Sequence, residues 1–102
     1  MEKDSANELT GFRVKGHALY APHGEDIVCS AVSVLTQTAL LALKELACAD
    51  LNVKIAEGNM ICSVIPSDDA GVREKSSLIL ANMVLGLRET EKSYPGFLKI
   101  EE

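Results

Sequence analysis

The stretch Asp26–Ala47, DIVCSAVSVLTQTALLALKELA, decides how this chain folds. Its apolar residues fall at Ile27, Val28, Ala31, Val32, Val34, Leu35, Ala39, Leu40, Leu41, Leu43 and Leu46. That is the three-to-four spacing of a helix, and it leaves almost no wet side. Asp26 is placed to cap the helix, with Gly24 and Glu25 leading in, and the helix runs to about Ala47. A helix apolar nearly all round is buried on most sides in a water-soluble protein. One domain of 102 residues can hardly cover it alone, which points to a subunit interface.

Working outward from this helix, the upstream segment Leu9–Lys15 alternates Phe12 and Val14 with Arg13 and Lys15, the pattern of a strand with one wet face. His17 to Gly24 carries Pro22 between bounding glycines and reads as a loop. Downstream, Val53 and Ile55, then Ile61 and Ile65, mark two strands joined by a Glu57-Gly58-Asn59 turn. Pro66–Gly71 is polar and turn-rich. A second helix spans about Val72 to Lys92, with Ile79, Met83 and Leu87 on one stripe, Leu80 and Val84 beside it, and Tyr94-Pro95-Gly96 to stop it. Phe97, Leu98 and Ile100 make a last short strand. The order of elements is therefore β-α-β-β-α-β, in a single domain over 1–102.

The bulk numbers limit function. The chain is 47% hydrophobic and 25% charged, ordinary for a globular domain. At this length roughly 65% of the unfolded surface is buried, enough for one core. With two Phe, two Tyr and no Trp, that core is aliphatic. A net charge of −5 with scattered basic residues argues against direct nucleic-acid binding, which needs clustered cations to release counterions. The polar start, Met1 to Glu8, has no apolar leader core. The longest apolar run, Ala39–Leu43, is far short of the ~20 residues that cross a bilayer. Three cysteines, Cys29, Cys48 and Cys62, are an odd number with no Cys-x-x-Cys pair, which reads as free thiols in a reducing, cytoplasmic setting rather than disulfides or a zinc ribbon.

The chemistry concentrates in Gly16-His17-Ala18, followed twelve residues after His17 by Cys29 within Gly24–Ser33. This offers a base and a thiol nucleophile. With Asp26 as N-cap, Cys29 sits in the first turn, where unpaired amides and the helix dipole favour a thiolate and lower its pKa below the ~8.5 of a free thiol. Against this stands the bland reading of Cys29 as a small buried hydrophobe, and of His17 as a solvated loop residue. The strand-loop-helix order lets the loop bring the two together, with Gly16 allowing a sharp turn before His17. Asp26 either caps the helix or orients the imidazole. Ser33, four residues after Cys29, shares its helix face and is either a site donor or a small packing residue. His23 competes as base from the loop. Cys48 and Cys62 read as structural thiols. Asp68-Asp69 reads as a solvated turn or as the cap of the second helix rather than a metal site.

Gly16-His17-Ala18, the run Gly24–Ser33 with its His-to-Cys spacing, and the later Gly86-Leu87 and Tyr94-Pro95 together resemble the ribosomal-processing cysteine proteases of bacteria, the Prp family, over residues 9–101. The resemblance implies the fold class α+β, two helices packed on a small, mainly antiparallel sheet, and a homodimer that removes a short N-terminal extension from a large-subunit ribosomal protein. It implies His17 as base and Cys29 as nucleophile, with Asp26 and Ser33 near the site. One departure is visible: members open with an apolar strand that starts several residues earlier, whereas Met1-Glu2-Lys3-Asp4-Ser5 is polar, so either the start lies inside the first hairpin or the first strand is truncated.

The reading is therefore a cysteine endopeptidase with a Cys29–His17 dyad, helix N-terminal amides at the oxyanion, and neither metal nor organic cofactor. Its partners are the ribosomal protein extension as peptide substrate and a second copy of itself, with no nucleic acid and no membrane. Two rivals remain open at this point. One is a non-catalytic, ribosome-associated dimeric binding module with Cys29 as packing. The other is a thiol hydrolase or acyltransferase acting on a small molecule.

Overall fold

Alternating apolar residues build the sheet, and helical stripes cover one side of it. The structure, a computed structural model, describes residues 2–3, 9–15, 23–56 and 59–94. In chain order these form β1 (Glu2–Lys3), β2 (Leu9–Lys15), α1 (His23–Glu45), β3 (Leu51–Ala56), β4 (Asn59–Val64) and α2 (Ala70–Ser93). The sheet order is β1-β2-β4-β3, antiparallel at each junction. The α+β class and the two-helix layer agree with the sequence reading. The order differs at the start, because the polar Glu2–Lys3 does pair with β2. An edge strand is held by backbone hydrogen bonds on one side only, so its composition gives little warning of it. The last strand expected at Phe97–Ile100 and the turn residues Glu57 and Gly58 lie outside the described residues.

The register aligns Phe12 of β2 with Cys62 of β4 and Cys62 with Val53 of β3. This row faces the helices. Phe12 and Cys62 join Ala39 and Leu43 of α1 and Leu80, Met83, Val84 and Leu87 of α2 in one core cluster. Val53, Met60 and Val64 pack around it, half-buried. The stripe expected on the second helix is thus the one that is buried. In β4, by contrast, Ile61 aligns with Arg13 and Lys54 on the opposite face, and Ile65 falls just beyond the strand. The core-facing set is Met60, Cys62 and Val64.

The helices pack side by side. Leu35 of α1 lies across Gly86 of α2, where a β-carbon would meet Leu35 Cδ2 at 2.8 Å. α2 starts at Asp69, whose Oδ1 accepts from the Val72 amide at 3.1 Å, and ends with the Tyr94 amide donating to the Thr90 carbonyl. Beyond α1 the Ala49 amide reaches back to the Leu43 carbonyl at 2.9 Å, with Cys48 at φ 54. Cys48 is exposed and Cys62 buried. The structural reading of the thiols therefore holds for Cys62 and is corrected for Cys48, whose left-handed backbone between buried Ala47 and Ala49 turns it outward. α1 is also less covered than expected: Val28, Ala39 and Leu43 are buried, but Ile27, Val34 and Leu41 are exposed.

Candidate active site

The candidate site lies where β2 hands over to α1. β2 ends at Lys15, and α1 begins at His23. That start is three residues earlier than the expected cap. Asp26 is the fourth helical residue rather than the N-cap, and His23 and Gly24 form part of the first turn instead of the loop. The local chemistry accounts for this. In the sequence Pro22 directly precedes His23, and proline is enriched at helix starts. Glu25 and Asp26 put two acids in the first turn, against the positive end of the dipole. The helical glycine Gly24 costs about 1 kcal/mol.

Cys29 is consequently the seventh residue of α1, roughly 9 Å along the axis from its start. The amides without intrahelical partners are the first four, and the favourable field fades within the first turn. The expectation that free amides and the dipole hold the Cys29 thiolate is corrected on that ground. One turn further on, Ser33 is exposed, and its Oγ accepts a hydrogen bond from Gln37 Nε2 at 2.8 Å. Gln37 was not singled out in the sequence; the i, i+4 spacing of Ser33 and Gln37 is the signal that finds it.

Cys29 and Ser33 stand at i and i+4, neighbours on one helical face. Inward, Val28 is 2% exposed and Val32 packs on the core, so this part of α1 is anchored between the two candidate positions. Buried Thr36 keeps its hydroxyl paired inside the helix, donating to the Val32 carbonyl at 2.7 Å. His17, Gly16 and the link through Pro22 lie outside the described residues, as do the side chains of Asp26 and Cys29. The Asp68-Asp69 pair resolves into the cap of α2, with Asp69 the capping residue and Asp68 exposed.

The sequence pattern of the family described as cysteine protease Prp matches residues 1–99, a span that includes His17 and Cys29. A curated relative from Bacillus subtilis (strain 168), the ribosomal processing cysteine protease Prp, is 30% identical over 94 residues, covering 90% of this chain and 84% of that protein. Among solved structures, an essential ribosomal processing protease Prp from S. aureus in complex with a substrate peptide gives a TM-score of 0.84 at 19% identity, over 97% of this chain and 92% of that one. SMU.848 from Streptococcus mutans gives a TM-score of 0.76 at 27% identity, over 91% and 82% of the two chains. The low identity of the S. aureus protein makes that likeness one of fold.

Proposed function

This chain belongs to the Prp family of cysteine proteases, and from that premise we propose that Cys29 is its nucleophile, His17 its general base, and the N-terminal extension of a bacterial large-subunit ribosomal protein its substrate. The observation that carries this is the family match through residues 1–99, which spans the whole His17-to-Cys29 segment. The Bacillus subtilis relative is itself a ribosomal processing cysteine protease. This favours peptide hydrolysis over both the non-catalytic module and the small-molecule hydrolase.

The chemistry runs in two halves. His17 accepts the proton of the Cys29 thiol, and Sγ attacks the scissile carbonyl carbon. A C–S bond forms, and the carbonyl π pair moves onto oxygen. As the oxyanion collapses, the C–N bond breaks, and His17 returns its proton to the leaving amine. A water then gives a proton to His17 and attacks the thioester, releasing the carboxylate product and the thiol. Because Cys29 lies beyond the first turn of α1, the activating charge is the imidazolium rather than the helix end. Ser33, whose Oγ accepts from Gln37 Nε2 one turn away, is the candidate to support the site, and Asp26 the candidate to orient His17. The enzyme acts as a homodimer in the cytoplasm, without nucleic acid or membrane; among the described residues no helix is long and apolar enough to cross a membrane.

The test is mass spectrometry of a peptide carrying the N-terminus of the host's own large-subunit ribosomal protein, incubated with the wild type and with Cys29→Ala. The expected result is one cut by the wild type and none by the variant. No cut by either, together with a Cys29 thiol inert to alkylation at about pH 6, would sink the protease reading.

A further inference from the structure

Cys29, Ser33 and Gln37 stand at steps of four along α1, and residues four apart are neighbours on a helix surface. The proposed nucleophile therefore has Ser33 one turn behind it and Gln37 one turn further on. Side chains of a helix lean toward its N-terminus, so Gln37 leans toward Ser33, and Ser33 toward the turn that holds Cys29. A hydrogen bond closes the step from Gln37: its Nε2 donates to Ser33 Oγ at 2.8 Å. Both residues are exposed, so the pair is open to an incoming peptide.

The direction of that bond carries the argument. A serine hydroxyl has one proton to give and two lone pairs with which to receive. Thr36, between the two in sequence, spends its proton on the backbone: it is buried, and Oγ1 donates to the Val32 carbonyl at 2.7 Å. It has nothing to offer the surface. Ser33 receives from Gln37 instead, so its proton is kept for a partner other than Gln37. An oxygen that accepts one hydrogen bond also gives its own proton more strongly. From Ile27 to Leu43 the chain carries no charged residue, so no ion on this stretch of α1 competes to turn the hydroxyl. The site has a use for such a donor, because Cys29 lies beyond the four free amides at the start of α1.

We propose that Gln37 is a positioning residue of this site: by donating to Ser33 Oγ it fixes the serine as a hydrogen-bond donor for the negative charge that develops at Cys29 during cleavage. The proposal rests on the protease reading above and adds a residue to it. Gln37 touches neither the substrate nor the reacting atoms and acts through Ser33 alone. A pair that only stiffened α1 would depend on the bond being made, not on which partner donates. Reversing the direction of the bond therefore separates the two roles.

The experiment is cleavage of the ribosomal-protein peptide by the full chain, with circular dichroism and thermal unfolding to check folding. It compares the wild type, Gln37→Met, which removes donor and acceptor, Gln37→Glu, which can only accept, and Thr38→Ala as an exposed control on α1. Both Gln37 variants are also made in a Ser33→Ala background. Gln37→Met is expected to lower kcat about fivefold with KM within about twofold, the worth of one hydrogen bond that acts in the transition state. Gln37→Glu draws the Ser33 proton to itself and is expected to lower kcat about 20-fold, the donor now being turned away. Thr38→Ala is expected to match the wild type. In the Ser33→Ala background both Gln37 effects should shrink below about twofold, as coupling through one partner requires. A Gln37→Met enzyme as fast as the wild type overturns the role, and so does a Gln37→Glu enzyme no slower than Gln37→Met. A Gln37 effect that persists undiminished without the Ser33 hydroxyl overturns it as well. In each of these cases the wild type still cuts and Cys29→Ala does not, so the protease reading stands. A wild type that cuts no more than Cys29→Ala defeats that reading and this role together.

Discussion

Replacing Gly86 by alanine sets two effects of opposite sign against each other. Alanine is the better helix former by about 1 kcal/mol in a helix interior, and Gly86 lies well inside α2. Taken alone, this predicts a more stable protein. The new β-carbon, however, would stand 2.8 Å from Leu35 Cδ2, 3.2 Å from Cδ1 and 3.6 Å from Cγ, where comfortable carbon contacts are ~3.5–4.0 Å. Both methyl carbons of one side chain crowd the point, so relief means swinging the Leu35 side chain away from the core it packs on. Overpacking of this kind costs about 1–3 kcal/mol. The net expectation is destabilisation by about 1 kcal/mol, a fall in Tm of about 4–8 °C. Urea and thermal unfolding followed by circular dichroism measure it. The decisive comparison is the same substitution in a Leu35→Ala background. With the obstacle gone, Gly86→Ala should stabilise by about 1 kcal/mol, so its effect changes sign and the two sites couple by about 2 kcal/mol. If Gly86→Ala stabilises both backgrounds equally, the close approach has no energetic weight and the reasoning fails.

Two further outcomes follow from burial and capping. Leu43 and Leu46 belong to the same apolar helix pattern, yet Leu43 is 0% and Leu46 69% exposed; Leu43→Ala is expected to cost about 3 kcal/mol and Leu46→Ala less than about 0.5 in urea unfolding, and equal costs would contradict the packing described. Asp69→Ala removes the oxygen that accepts from the Val72 amide and is expected to cost about 1 kcal/mol. Asp69→Asn, which keeps an acceptor, should restore most of that stability; if it does not, the cap is not the source of the loss.

Where the sequence carried one unambiguous period, the fold was legible. β2 matches its reading at both ends, because Phe12 and Val14 alternate with charged Arg13. α2 buries the stripe read from its 3.6-residue period. In Met60–Ile65 apolar residues occur at both parities, so no binary pattern states which set faces the helices, and the register with Phe12 and Val53 settles it. β1 escaped notice because pairing through backbone amides asks little of Glu2 and Lys3. The start of α1 was misplaced because Asp26 satisfies the composition of a cap and, equally, that of an acid inside the first turn. At the candidate site, Cys29 and Ser33 share a face as their spacing foretold, and the same i, i+4 spacing, passed over in the sequence, carries the bond from Gln37 to Ser33.

The displaced helix start alters how the proposed dyad divides its labour. Were Cys29 in the first turn, unpaired amides and the dipole would sustain a thiolate even without a histidine, and loss of His17 would leave a reactive if inefficient nucleophile. Six residues past His23, the Cys29 amide lies beyond the four unpaired donors, and the helix-end field has faded. The proposed imidazole is then both the proton acceptor and the main cation available to the thiolate. The oxyanion donors, too, must come from elsewhere than the free end of α1. In this arrangement the two halves of the dyad are strongly interdependent: removing either should lower cleavage nearly as far as removing both, the non-additivity expected of groups acting as one unit.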